Sequence, residues 1–145
     1  MKIRIIDGEF SVLKTKNFKN INFDSKFCFA CKTDREYSLV TKTSDAPNDC
    51  LNREDGWRAM AIDSQLDFSL VGVLSKICDA LSRKGVALFA VSTYDTDYVL
   101  VKKEKLETAV QALTDSGFEV YWFSTSFAIS FFLILLSNSF RVISF

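Results

Sequence analysis

The sequence predicts an α+β fold in which two helices lie on one face of a sheet. Three observations carry this. Short runs rich in Val, Ile, Phe and Tyr recur between turn-forming residues. Two stretches in the second half repeat apolar residues at helical spacing, and each ends on a glycine. Each of those stretches lies between strand-like runs, so the second half reads β-α-β-β-α-β.

Residues 2–14 read as a strand. Ile3 and Ile5 alternate with Lys2 and Arg4, and Phe10 and Val12 continue the period of two beyond Gly8, so a bend is expected at Asp7-Gly8. Residues 16–25 are polar, with Phe18, Ile21 and Phe23 as apolar pins, and read as a loop or at most one helical turn. Residues 27–32 and 37–42 are apolar, aromatic and β-branched, and Thr33-Asp34-Arg35-Glu36 between them signals a hairpin. Residues 43–55 hold the single proline, Pro47, among Ser, Asn and Asp. A helical turn is expected over 48–51, and the stretch is the expected boundary between two halves.

Residues 57–63 read as a strand. Leu70, Leu74, Ile77, Cys78 and Leu81 then give one apolar face to a helix over 69–84. Asp67 or Ser69 is placed to cap its start, and Gly85 to stop it in the left-handed conformation. Residues 86–91 form a continuous apolar run suited to a central strand, and 98–101 form another. Leu106, Ala109, Val110 and Leu113 make a second amphipathic face that ends at Gly117, before a last strand over 118–123. Both helices connect strands and carry one apolar stripe, so both should cover the same sheet face. This is the ferredoxin-like pattern. The first half spaces its strands similarly but lacks a convincing first helix, and no sequence repeat is visible between the halves. The expectation is a degenerate unit over 1–55, a complete unit over 56–123 and a hydrophobic tail over 124–145.

The tail changes character. Residues 120–140 carry no charge, a length sufficient to cross a bilayer. Residues 118–123 are wanted as a strand, however, and the remaining stretch is interrupted by Ser124, Thr125, Ser126, Ser130, Ser137, Asn138 and Ser139. Three readings stand: a marginal membrane anchor, a segment packed on the domain or a partner subunit, and a non-native extension.

With 145 residues the chain is one domain or two very small ones. Lys+Arg and Asp+Glu are both 18, and no basic patch points to nucleic acid. The absence of histidine excludes Ser-His-Asp and Cys-His catalysis. No phosphate loop is present, no metal or other cofactor is expected, and the chain does not read as an enzyme. Cys28 and Cys31 have CxxC spacing, yet no second pair completes a zinc site. On a strand they point to opposite faces, and they are expected as small buried side chains. The N-terminus acquires Asp7 and Glu9 early and has no apolar run, so no signal peptide is expected and a reducing cytoplasm is the default.

One constellation suits a zwitterionic ligand. A carboxylate needs N–H donors, and the first turn of a helix offers unpaired ones with a partial positive charge. The turn formed by Asp67, Phe68, Ser69, Leu70 and Val71 would supply them, and Gly72, one turn inside the helix, would let a ligand approach the backbone. An ammonium needs acceptors, and Asp67, Asp95 and Asp97 stand with the hydroxyls of Ser92, Thr93 and Thr96. A plain turn needs only one or two such residues. Two plainer readings stay open: Gly72 serves helix packing against Leu88 or Val91, and Asp95-Thr96-Asp97 is a solvated turn. Arg58 would pair with a carboxylate or face solvent.

The segments Asp67-Phe68-Ser69-Leu70-Val71-Gly72-Val73-Leu74 and Val91-Ser92-Thr93-Tyr94-Asp95-Thr96-Asp97-Tyr98 resemble the ACT amino-acid-binding domain, most closely the tandem-ACT branch that includes the arginine-sensing CASTOR type. The likeness extends weakly to Asp7-Gly8-Glu9-Phe10-Ser11-Val12 and Gly56-Trp57-Arg58 and stops near Val120. It implies two ferredoxin-like units in tandem and a non-catalytic sensor for a free amino acid, bound where the helix begins. The alternative is an interaction or assembly domain with a vestigial site, tethered to a membrane by its tail. Edge strands in such units commonly pair, so a homodimer or a partner protein is compatible with either.

Overall fold

A computed structural model of the chain describes residues 1–63 and 72–122. Its elements are β1 (Lys2–Ile5), β2 (Phe10–Thr15), β3 (Cys28–Lys32), β4 (Tyr37–Lys42), β5 (Asn52–Ile62), α1 (Val73–Arg83), β6 (Leu88–Ser92), β7 (Asp97–Lys102), α2 (Leu106–Asp115) and β8 (Glu119–Trp122). All eight strands belong to one sheet, ordered β3-β4-β2-β5-β1-β8, with β7 and β6 branching from β5. The architecture is the expected α+β, ferredoxin-like one. The expected tail, 124–145, lies outside the described residues.

The bend at Asp7-Gly8 separates β1 from β2, and Gly8 takes a positive φ of 97° there. Both strands run antiparallel to β5, with Ile3 opposite Ile62 and Phe10 opposite Trp57. β5 begins at Asn52, five residues earlier than the sequence suggests, because Asn52, Arg53 and Glu54 complete the ladder with β2. The boundary expected between 55 and 56 therefore falls inside β5. The helical turn expected over 48–51 appears instead at Thr43–Asp45, as a 3-10 turn.

In a bare βαββαβ unit the first and last strands are neighbours. Here β1 stands between β5 and β8, antiparallel to the former and parallel to the latter. The chain's first strand is thus built into its second half. Ile3 and Ile5, Met60 and Ile62, and Val99 and Val101 form the helix-side core with Ile77 and Leu81 of α1 and Ala109 and Leu113 of α2. Gly85, at φ 65°, ends α1 as expected, with Val86 N–H returning to the Leu81 carbonyl.

The ladders reveal a repeat that the sequence hides. β2 pairs with β4 from Phe10↔Lys42 to Thr15↔Tyr37, and β5 pairs with β7 from Trp57↔Lys102 to Ala61↔Tyr98. The hairpin β3–β4 maps onto β6–β7, with Phe29 on Phe89, Ala30 on Ala90, Thr33 on Thr93 and Lys42 on Lys102. Both turns close alike, Thr33 N–H on the Glu36 carbonyl and Thr93 N–H on the Thr96 carbonyl, each at 2.9 Å. Between β2 and β3 lie the twelve residues 16–27, whereas 63–87 hold twenty-five between β5 and β6. Twelve residues cannot form a helix like α1 and also return to the sheet, so loops cover that side of the first half. On the opposite side the two hairpins meet. Phe29 lies 4.8 Å from Tyr98 between ring centres, and Phe10, Val40, Trp57, Ala59 and Leu100 fill the space beneath.

Candidate functional site

Gly72 adopts φ 89° at the N-cap of α1, and its carbonyl accepts the Lys76 N–H at 3.0 Å. A left-handed residue cannot lie inside a right-handed helix. The helix thus starts at Val73 rather than Ser69, and Gly72 is not one turn inside it. Neither Asp67 nor Ser69 occupies the N-cap position, and no described side chain caps the helix. A Cβ added at Gly72 would meet nothing within 4 Å, so the conformation, and not packing on Leu88 or Val91, demands glycine. Asp67, Phe68, Ser69, Leu70 and Val71 lie outside the described residues.

The second cluster divides. Thr93 spends its side chain on the turn: its hydroxyl donates to the Thr96 carbonyl at 2.8 Å and accepts the Thr96 N–H at 3.3 Å. The Thr96 hydroxyl donates to the Ile62 carbonyl and ties the hairpin tip to the end of β5. Asp95 is exposed at the tip. The side chains of Thr93 and Thr96 are thus engaged within the protein, and that of Asp95 faces solvent. Ser92 and Asp97 differ. They are directly opposite each other, in register with the ladder pairs Ala90↔Val99 and Leu88↔Val101, and so share the face that carries α1. Val73 and Lys76 in the first turn of α1 line a space with Met1, at the end of the sheet where β5 finishes. Gly72, Ser92 and Asp97 are thereby brought to one face and one end, while Thr93, Asp95 and Thr96 serve the turn.

Sequence reasoning missed three neighbours. Asp63, the last described residue before this corner, accepts a hydrogen bond from the Tyr121 hydroxyl, and that bond, with burial, pushes the Tyr121 phenol above its ordinary range. Lys76 lies in the first turn of α1. A cavity of about 170 Å³ flanks that turn on the α2 side, lined by Met1, Val73, Lys76, Ser116, Gly117 and Phe118. An acidic residue closing a predicted strand and a lysine about two turns into a predicted helix were the available signals.

Arg58 is half-buried, with its guanidinium 5.3 Å from the Trp122 ring centre, a cation–π arrangement rather than a solvent-facing one. Cys28 and Cys31 do point to opposite faces, but Cys31 is exposed, because β3 is an edge strand. Burial, and then the Asp45 carboxylate, push the Cys28 thiol up. Among the described residues no cluster suits a metal ion, and no helix is long and apolar enough to cross a membrane.

A further polar group lies near the crossing of the halves. The buried Ser11 hydroxyl donates to the Asp55 carboxylate and lies 2.9 Å from the Thr43 hydroxyl. The Ser11 bond, then the Arg53 side chain, hold the Asp55 carboxyl below the usual carboxylate range. A lowered carboxyl stabilises the fold above the unfolded-state pKa of about 3.9, and that contribution is lost as pH falls through the folded value. Ser11→Ala is expected to move the Asp55 titration upward, followed by carboxyl-carbon NMR. An unchanged midpoint would show that the hydroxyl does not hold the charge.

The arrangement defines a class: a ferredoxin-like α+β domain with two helices on one face of the sheet. Residues 52–115 match the family model described as the ACT domain. Among solved structures the chain is similar to a protein of Agobacterium tumefaciens, at 25% identity and a TM-score of 0.74, covering 85% of this chain and 93% of that one. It is also similar to a Vibrio cholerae protein of unknown function, at 15% identity and a TM-score of 0.61, covering 77% and 86%. The regulatory subunit of aspartate kinase from Thermus thermophilus shares the fold at 9% identity and a TM-score of 0.59, covering 81% and 97%. No curated protein matches the chain.

Proposed function

We infer that the chain is a non-catalytic regulatory module of the cytoplasm that binds a free amino acid where α1 begins. The arrangement that supports this is the start of α1 at Gly72, with no side-chain cap among the described residues, on the same face and at the same end of the sheet as Ser92 and Asp97. The amino acid's carboxylate meets the amides of the helix start, and its ammonium meets Asp97. Residues 67–71 belong to this reading on the sequence alone, and Asp95, Thr93 and Thr96 shape the turn. The ACT match and the likeness to an aspartate kinase regulatory subunit support the reading, and the CASTOR-type branch rests on the resemblance of residues 67–74 and 91–98 alone. Binding shifts populations between two settings of the halves, and the output passes to a partner chain or a second copy.

Melting the full chain with each common amino acid tests this. A ligand at about 100 times its Kd adds roughly 2.7 kcal/mol, on the order of 8 °C in Tm for a chain of this size. Gly72→Val and Asp97→Ala should abolish the response. A uniform lack of response across the amino acids favours the second reading, an assembly domain with a vestigial site. That reading has its own support, since the Thr93 and Thr96 hydroxyls are already spent within the protein.

A further inference from the structure

Among the described strands β8 pairs with β1 alone, in parallel, with Ile3 opposite Val120 and Ile5 opposite Trp122. The Glu119 N–H donates to the Met1 carbonyl at 3.0 Å. Backbone groups alternate in direction along a strand, so Glu119 and Tyr121 turn theirs to β1, and Val120 turns its own to the other side. That side lacks the charges that commonly guard a sheet edge. Val120, Tyr121 and Trp122 are uncharged, and Trp122 is 44% exposed. An uncharged, apolar edge is a template for another strand.

The sequence supplies one within a few residues. Beyond Phe123 it reads Ser124-Thr125-Ser126-Phe127 and then Ala128-Ile129-Ser130-Phe131. The first four make a mostly polar loop of a length common in hairpins. In the next four, large apolar residues alternate with small ones, which is strand periodicity. A loop over 124–127 sets Ile129 opposite Trp122, Ser130 opposite Tyr121 and Phe131 opposite Val120. Val120 packs on the helix-side core, and Trp122 follows it at the spacing of two that keeps one face. This register therefore gives Ile129 and Phe131 to the covered face and Ser130 to the other. A slip of one residue would reverse all three. Closing so short a loop costs little chain entropy. The uninterrupted apolar run, 131–136, falls well short of the about 20 residues that cross a bilayer.

We propose that residues 128–131 add to β8 as a ninth, antiparallel strand. The outer side of β8 is then an interaction surface whose partner is the chain's own tail, in place of a membrane or a second copy. The inference does not rest on the amino-acid reading of the α1 corner.

The test follows amide hydrogen exchange in the full chain labelled with nitrogen-15. The Val120 amide should exchange slowly, as the Tyr121 amide does through its ladder with β1. Ile129→Lys puts a charge on the covered face and should speed exchange at Val120 about a hundredfold, within the span between a core strand and a fraying end. Ser130→Lys, one residue on, points the same charge away and should leave Val120 within about threefold of the parent. Tyr121 should stay slow in both variants, which shows that the rest of the sheet is intact. The proposal is overturned if Val120 of the parent exchanges as fast as Asp95 at its exposed turn, or if the two lysine variants behave alike. It is overturned equally if the protection fades on dilution, which gives the surface to a second copy, or arises only with phosphatidylcholine vesicles, which gives the tail to a membrane.

Discussion

A chain restricted to residues 56–123 is expected to remain unfolded, although it contains every strand and helix of the βαββαβ order. Without residues 1–55, β8 loses its only ladder, because it pairs with β1 alone among the described strands. The core loses Ile3 and Ile5, which are 2% and 0% exposed. Truncating a buried isoleucine to alanine costs about 2–5 kcal/mol; losing two outright, with their hydrogen bonds, consumes much or all of the roughly 5–15 kcal/mol that holds a domain together. β5 also loses β2 along its first half. Circular dichroism and a thermal melt decide the matter. The fragment should show no cooperative transition, while residues 1–123 should. A sharp melt from 56–123 would mean that β1 is an ornament on a self-sufficient unit.

Phe10→Ala is expected to cost about 3–5 kcal/mol. The ring is fully buried, stands opposite Trp57 in the ladder that joins the halves, and packs edge-to-face on Phe27 at 5.9 Å. It therefore touches the core of both hairpins at once. Urea unfolding should show one transition at a lowered midpoint with an unchanged slope, as for a two-state chain that lost stability and not compactness. Two separated transitions, or a cost under about 1 kcal/mol, would show that the halves fold independently and meet afterwards.

The local pattern of the second half was legible. Val99 and Val101, Ile77 and Leu81, and Ala109 and Leu113 point inward as period two or period 3.6 requires, and Gly85 and Gly117 stop the helices. What the pattern did not disclose was non-local. Nothing in Ile3 and Ile5 states which strands they will separate, since alternation fixes a face and not a neighbour. The repeat escaped notice because four identities, at Phe29, Ala30, Thr33 and Lys42, lie among unrelated residues and because one half lacks its helix. At the candidate site, a glycine followed by apolar residues reads equally as the interior of a helix or its edge; only the backbone angle at Gly72 decides. The hydroxyls of residues 92–97 looked like a surplus available to a ligand, but Thr93 and Thr96 fold their own turn. Ser92 and Asp97 are the remainder, and strand parity selects them.

Because β5 runs unbroken through both halves, the two cannot drift apart or slide along each other without tearing the ladders on either side. What they retain is torsion. Gly8 and Gly56, both at positive φ, sit on the two opposed chains near the crossing, each beside a lysine side chain and not against backbone. A message passing from one end of the molecule to the other would travel as a change of pitch, like a ribbon wrung at its waist.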